Sequence, residues 1–211
     1  MTTVLLTGYE PFGEFDRNPA SRLANRLDGR RCAGCSIVGR ELPVAFDRAR
    51  PALVELLERH DPDIVLSLGL AAGRSALSLE RIGINLRDTN GTPDNDDRDV
   101  IDEPVTSDGP DAYFATVPDR KMVEAMNEAG IPATLSTNAG THLCNDILYA
   151  TCHHVAVNDL DIRSGFVHVP FSHEGAAARE DTQPSMALET MARGLEVGIE
   201  TAVAVGSDTP R

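Results

Sequence analysis

Short apolar runs rich in Val, Leu and Ile recur along the chain, each followed by a stretch with helical spacing, and this alternation limits the possible folds. "TVLLTGY" reads as a strand; a loop rich in Gly, Pro and Asp follows, and a helix starts near Pro19 with Asn18 as N-cap. Next come a strand in "SIVGRELPVA", a helix from Arg50 to His60 with Pro51 in its first turn, and the buried-type strand "DIVLSLGL". "ALSLERIGINL" reads as one further strand. Beyond the next long segment lie a helix near Asp119 to Ala129, the strand "ATLST", a helix after Cys144, the strand "SGFVHVPF" and a final helix from about Pro184. In that last helix Leu188, Met191, Leu195 and Ile199 recur at core-packing intervals. Strands alternating with helices predict an α/β protein: a three-layer α/β/α open, mostly parallel twisted sheet with helices on both faces. No internal repeat or linker divides residues 1–211, which are expected to form one domain. The segment "RDTNGTPDNDDRDVIDEPVTSDGPDAY" is too long for an ordinary connection, and its length predicts a lid or a disordered stretch.

The charge balance excludes some partners. With 33 acidic against 19 basic residues the net charge is −14, which opposes nonspecific binding to nucleic acid or anionic membranes. The start, "MTTVLLTGYEPFG", lacks the basic region of a signal peptide, and no apolar run has the length of a membrane span, so a cytoplasmic location is expected. Four cysteines in a chain of this length do not suggest a disulfide scaffold. "CAGC", at Cys32 to Cys35, has the spacing of a redox pair or half a zinc site, but no second pair follows, so no metal is expected. Without a GxGxxG or phosphate-loop pattern, no nucleotide cofactor is expected either.

In "NAGTHLCNDILY", Cys144 stands between a small-residue turn and the start of a helix. It is either a small buried hydrophobe or a nucleophile whose thiolate is favoured by the positive helix end. Sites in open α/β sheets lie beyond the carboxyl ends of the strands, where the loops after Tyr9, Leu70 and Ala139 should converge. A nucleophilic thiol needs a base. His153 and His154 lie roughly 13 Å further along the same helix, His60 reads as a helix C-terminal dipole partner, and His142 has no evident orienting group. His168 interrupts the apolar strand "GFVHVPF" and is either a satisfied core residue or a strand-end base; His173 is the second candidate. On strand alternation Glu80 shares a face with Ile82, Ile84 and Leu86, so its carboxylate is buried and needs a partner. Either an imidazole N–H or an arginine, Arg74 or Arg87, would serve.

The ordered set "LLTGYEPFG", "NPAS", "SLERIGIN", "PDN", "GPDAYFATVP", "NAGTHLCNDILY" and "GFVHVPF" resembles the pyroglutamyl peptidase I (pyrrolidone-carboxyl peptidase) family of cysteine peptidases along nearly the whole chain. The resemblance implies hydrolytic release of N-terminal pyroglutamate from peptides through a thioester acyl-enzyme. It assigns Cys144 as nucleophile, His168 as base and later acid, and Glu80 as the orienting carboxylate. Tyr9 and Phe12 would clamp the lactam ring, Asn18 would lie near the lactam, and Leu70 and Leu143 would complete the substrate-binding set. It further implies peptide partners, no metal or cofactor, and a homotetramer. The chain departs from the family pattern at Tyr9, where many relatives have Phe, and at Leu70, where they carry Gln; Leu70 cannot donate a hydrogen bond. "DTNGTPDN" also lacks an arginine that relatives carry near the oxyanion, for which Arg87 is a substitute. These changes leave open another cysteine hydrolase or amidase on the same scaffold, or a catalytically silent small-ligand-binding module.

Overall fold

The computed structural model describes residues 1–13, 17–32 and 34–206. Residues 14–16 of the first loop and Ala33 of "CAGC" lie outside them. In chain order the elements are β1 (Thr2–Tyr9), α1 (Pro19–Leu27), β2 (Arg31–Cys32), β3 (Cys35–Leu42), α2 (Phe46–His60), β4 (Ile64–Leu70), β5 (Leu77–Glu80), β6 (Ile82–Ile84), β7 (Ala112–Phe114), α3 (Asp119–Glu128), β8 (Ala133–Ser136), α4 (Leu143–Val157), β9 (Arg163–Val169), α5 (His173–Ala177) and α6 (Leu188–Ala204). Seven strands form one sheet in the order β2-β3-β1-β4-β9-β5-β8. Four neighbouring pairs are parallel, while β2 runs antiparallel to β3 and β5 antiparallel to β9.

Period-two side-chain alternation sends each strand's residues to opposite faces. Val4 and Leu6 of β1 join Leu23 of α1, Met122 of α3 and Leu195 of α6 in one core. Leu5 and Tyr9 join Leu53 of α2 and Ile147 of α4 in the other. The sheet is therefore covered on both faces, and the expected α/β class holds.

Four local readings are corrected. Helix α2 begins at Phe46, not Arg50, leaving Pro51 inside it. The start is supplied from a distance, because the buried carboxylate of Asp94 accepts the Phe46 N–H at 2.8 Å. "ALSLERIGINL" is two strands: β5 belongs to the main sheet, whereas β6 pairs with β7 in a separate ribbon. Glu80 consequently does not owe its burial to a face shared with Ile82 and Ile84; it lies opposite Phe166 on β9. The last helix starts at Leu188 because a bridge between Phe171 and Ser185 holds the segment before it extended. Finally, the acidic segment after Leu86 is folded, not a loose lid. Within it the Asp94 carboxylate also accepts the N–H groups of Asp96 and Arg98, and Asn95 bonds Glu10 and the Pro11 carbonyl.

Two elements escape the periodicity. The short β2 pairs Cys32 with Cys35, both thiols free and 3.3 Å apart. Helix α5 is a single short turn after Phe171.

Candidate active site

Cys144 is the second residue of α4, a helix without a side-chain cap on its first turn. Its first N–H groups are therefore unclaimed by a cap and point out of the helix start. Several bonds pin that start. The Tyr9 hydroxyl donates to the Leu143 carbonyl at 2.6 Å. Asn145 accepts the Ile84 N–H at 2.8 Å and donates to the Ile84 and Leu86 carbonyls at 2.9 Å. Buried Asp146 pairs with Arg87 at 2.5 Å.

Below the thiol lies Gly69, at the end of β4. A Cβ there would sit 2.7 Å from Cys144 Sγ and 2.8 Å from Phe166 Cζ, so only glycine lets the sulfur approach the sheet this closely. Gly69 is in register with His168 on the adjacent β9. His168 is 5% exposed, and its Nδ1 meets Glu80 Oε1 at 2.8 Å. With Nδ1–H donated to the carboxylate, Nε2 remains as the basic nitrogen. Arg74 Nη1 donates to the same Glu80 oxygen at 2.7 Å. The imidazole and arginine partners considered for Glu80 are thus both present.

Electrostatics set the resting protonation states. Burial works to raise the Glu80 pKa, but the hydrogen bonds from His168 and Arg74, with the nearby Ser136 hydroxyl, outweigh it and hold the carboxyl below its usual range. Burial holds the His168 pKa below its usual value, although the Glu80 bond and charge oppose this. The base is therefore neutral near pH 7. Burial, reinforced by the Glu80 charge and only partly offset by Arg74, pushes the Cys144 thiol up to about 12. This shift works against the thiolate that the positive helix end would favour. Sγ rests as a thiol, and attack requires proton transfer to the imidazole.

Beside Sγ opens a cavity of about 260 Å³ lined by Tyr9, Phe12, Asn18, Val44, Leu70, Ala72, His142, Leu143 and Cys144. The structure thus gathers all five expected substrate-contact residues with the thiol, as the convergence of the three loops predicts. Its walls are mainly aliphatic and aromatic, and it is small enough to suit a single ring. Tyr9 is buried, and burial, with the nearby Cys144 and Asp146, keeps its hydroxyl protonated as a donor. Asn18 Oδ1 caps α1 at Ala20 N and its Nδ2 donates to the Glu10 carbonyl, so its amide is already engaged within the loop.

Other candidates fall away. His173 is exposed and bonds Ser185. Arg87 is committed to Asp146 and packs over the Phe46 ring at 5.5 Å, rather than standing in for the arginine missing from "DTNGTPDN". His142, lacking an orienting partner in sequence, has one in the fold: its Nε2 lies 3.0 Å from the Thr92 carbonyl, and its ring packs against Phe12 and Phe46. Val44, Ala72 and His142 are pocket residues that periodicity could not reveal, since each reaches the cavity from a loop. Among the described residues, no cluster of three or more His, Cys, Asp or Glu side chains could hold a metal ion.

Comparison with known proteins follows the same outline. A family model described as pyroglutamyl peptidase matches residues 2–205. Pyrrolidone-carboxylate peptidase 2 of Photorhabdus laumondii is 40% identical over 206 residues, covering 98% of this chain and 94% of that protein. Pyrrolidone-carboxylate peptidase of Pyrococcus furiosus is 41% identical over 203 residues, covering 95% and 97%. A mutant form of pyrrolidone carboxyl peptidase from the same hyperthermophile superposes with a TM-score of 0.93 at 40% identity, covering 97% of this chain and 99% of that one.

Proposed function

The chain belongs to the pyroglutamyl peptidase family, and from that premise we propose that it is a cysteine peptidase removing N-terminal pyroglutamate from peptides. One observation carries the assignment of roles: the Cys144 thiol rests on Gly69, beside the His168–Glu80 pair, at the mouth of a small, mainly apolar pocket. In this reaction the lactam ring fills the pocket between Tyr9, Phe12 and Leu70. Sγ attacks the pyroglutamyl carbonyl as Nε2 of His168 takes its proton, and the first N–H groups of α4 stabilise the oxyanion. Collapse of the tetrahedral adduct breaks the C–N bond, and His168 returns the proton to the leaving amine. Water, activated by the same imidazole, then hydrolyses the thioester and frees pyroglutamate. Glu80 holds the tautomer and stabilises the imidazolium, with Arg74 keeping the carboxylate ionised. With Leu70 in the pocket and the Asn18 amide engaged, main-chain groups carry much of the lactam recognition.

The same proposal takes the 211 residues as one catalytic unit. It also takes the enzyme to be a cytoplasmic homotetramer, as the family likeness suggests. None of the four cysteines forms a disulfide, which suits a reducing compartment, and no helix among the described residues is long and apolar enough to cross a membrane. Exposed Phe114, Val157 and Leu160 supply apolar surface for subunit contact.

The decisive assay is release of aminomethylcoumarin from its pyroglutamyl and prolyl conjugates under reducing conditions. Activity on the lactam alone, lost in Cys144→Ser, is the expected result. A folded protein inactive on the pyroglutamyl conjugate, or a fully active Cys144→Ser, would overturn the assignment.

A further inference from the structure

The ring pocket has no room for a peptide, so the chain beyond the scissile bond must lie elsewhere. Its direction follows from the order of strands. Tyr9 and Leu70 place the pocket over β1 and β4, Gly69 of β4 lies under Sγ, His168 is on β9, and Glu80 is on β5. A carbonyl seated at Cys144 with its ring in the pocket turns its leaving nitrogen toward His168, which must protonate it, and hence toward β5 and β8.

There the same face of the sheet opens toward the edge strand β8, where Thr134 is exposed and Ser136 half-buried. Residues paired across neighbouring strands point to the same side. Ser78 is paired with His168 and Thr134, and Glu80 with Ser136. These hydroxyl residues therefore share the face of the catalytic pair, while Leu77 and Leu79 enter the opposite core beneath α3 and α6. A groove of about 510 Å³ runs over Ser78, Thr134 and Ser136, bounded by Arg74, Ser75 and Asn138. Arg74 joins it to the reaction centre, donating one guanidinium nitrogen to Glu80 and another to the Asn138 carbonyl.

We propose that this groove binds the peptide residues following the pyroglutamyl group, a role that rests on the peptidase assignment above. The accessible Thr134 and Ser136 hydroxyls and the exposed Asn138 amide are suited to bonding a peptide main chain, with Ser78 buried beneath them. From β9 to β8 are two strand spacings, about 10 Å, which an extended chain crosses in about three residues. Catalytic efficiency should therefore rise with each of the first three residues after pyroglutamate and then level off.

The test compares kcat/KM for pyroglutamyl amide, which leaves the groove empty, with that for pyroglutamyl-alanine peptides of one to five further residues. Thr134→Trp, which fills the groove from the edge strand, is expected to lower the ratio of tetrapeptide to amide efficiency at least tenfold. Ser75→Trp, in the loop before β5 that also lines the groove, should act likewise and guards against a folding defect in either variant. A wild-type efficiency independent of peptide length, or a ratio unchanged in both variants, overturns the groove assignment while leaving the peptidase assignment standing. A wild-type protein inactive on every pyroglutamyl substrate instead overturns the peptidase assignment, and the groove's role with it.

Discussion

Cys144 and Gly69 illustrate how much of the chemistry depends on a missing atom. A side chain at Gly69 would collide with both the sulfur and Phe166, and a displacement of about 1 Å in a reacting group can cost 100-fold in rate. The close seat also half-buries the residue and sets its thiol near Glu80, and this desolvation and charge push its pKa up to about 12. Alkylation of the free protein by iodoacetamide should then quicken about tenfold per pH unit between about pH 7 and 9, because the thiolate fraction still rises throughout that interval. A rate that levels off below pH 8, measured by mass spectrometry of the Cys144 peptide, would show a thiolate already formed at rest. Cys144, His168 and Glu80 were legible individually because each places a reactive group where the pattern calls for an apolar or small residue. That Arg74 and His168 share one Glu80 oxygen was not legible, since both partners satisfy the same burial argument and only the fold shows that they coexist.

Among the elements, α2 and the acidic segment after Leu86 define each other. Asp94, 5% exposed, accepts three backbone N–H groups, including that of Phe46 at the start of α2. Three residues earlier, the turn at Asn90 and Gly91, both with positive φ, lets Asn90 bond Thr141 while His142 meets the Thr92 carbonyl. The loop thus braces the approach to Cys144. Asp94→Ala should cost about 3 kcal/mol, since it strips a helix cap and leaves buried donors unpaired. At this chain length the melting temperature should fall by about 10 °C, and Asp94→Asn, which keeps an acceptor, should fall less. A drop under about 2 °C in Asp94→Ala would mean that the segment does not brace α2. Sequence spacing misplaced the start of α2 for this reason: its cap is a carboxylate 48 residues further along the chain.

At the scale of the whole molecule, the buried catalytic pair ties stability to pH. His168 titrates below its usual 6.5 when folded, so as pH falls through that value the unfolded chain gains a proton that the native state refuses, and stability declines. Glu80 titrates below its usual 4.5; its contribution is full above that value and is lost as pH falls through the native pKa. Denaturant unfolding should therefore show stability falling from about pH 6.5 downward, and His168→Gln should flatten the upper part of that decline. An identical slope in the variant would mean that His168 is not held neutral by the fold. The sequence by itself determined the alternating layers, because side-chain periodicity is a local property of each segment. It also singled out the candidate chemical groups, through the stretches "NAGTHLCNDILY" and "GFVHVPF". The tertiary structure alone decided the antiparallel entry of β5, the break after Glu80, the close seat of Cys144 on Gly69 and the open groove beside β8. Each of these depends on which distant strand or charge becomes a neighbour, and that is settled by packing rather than by local spacing.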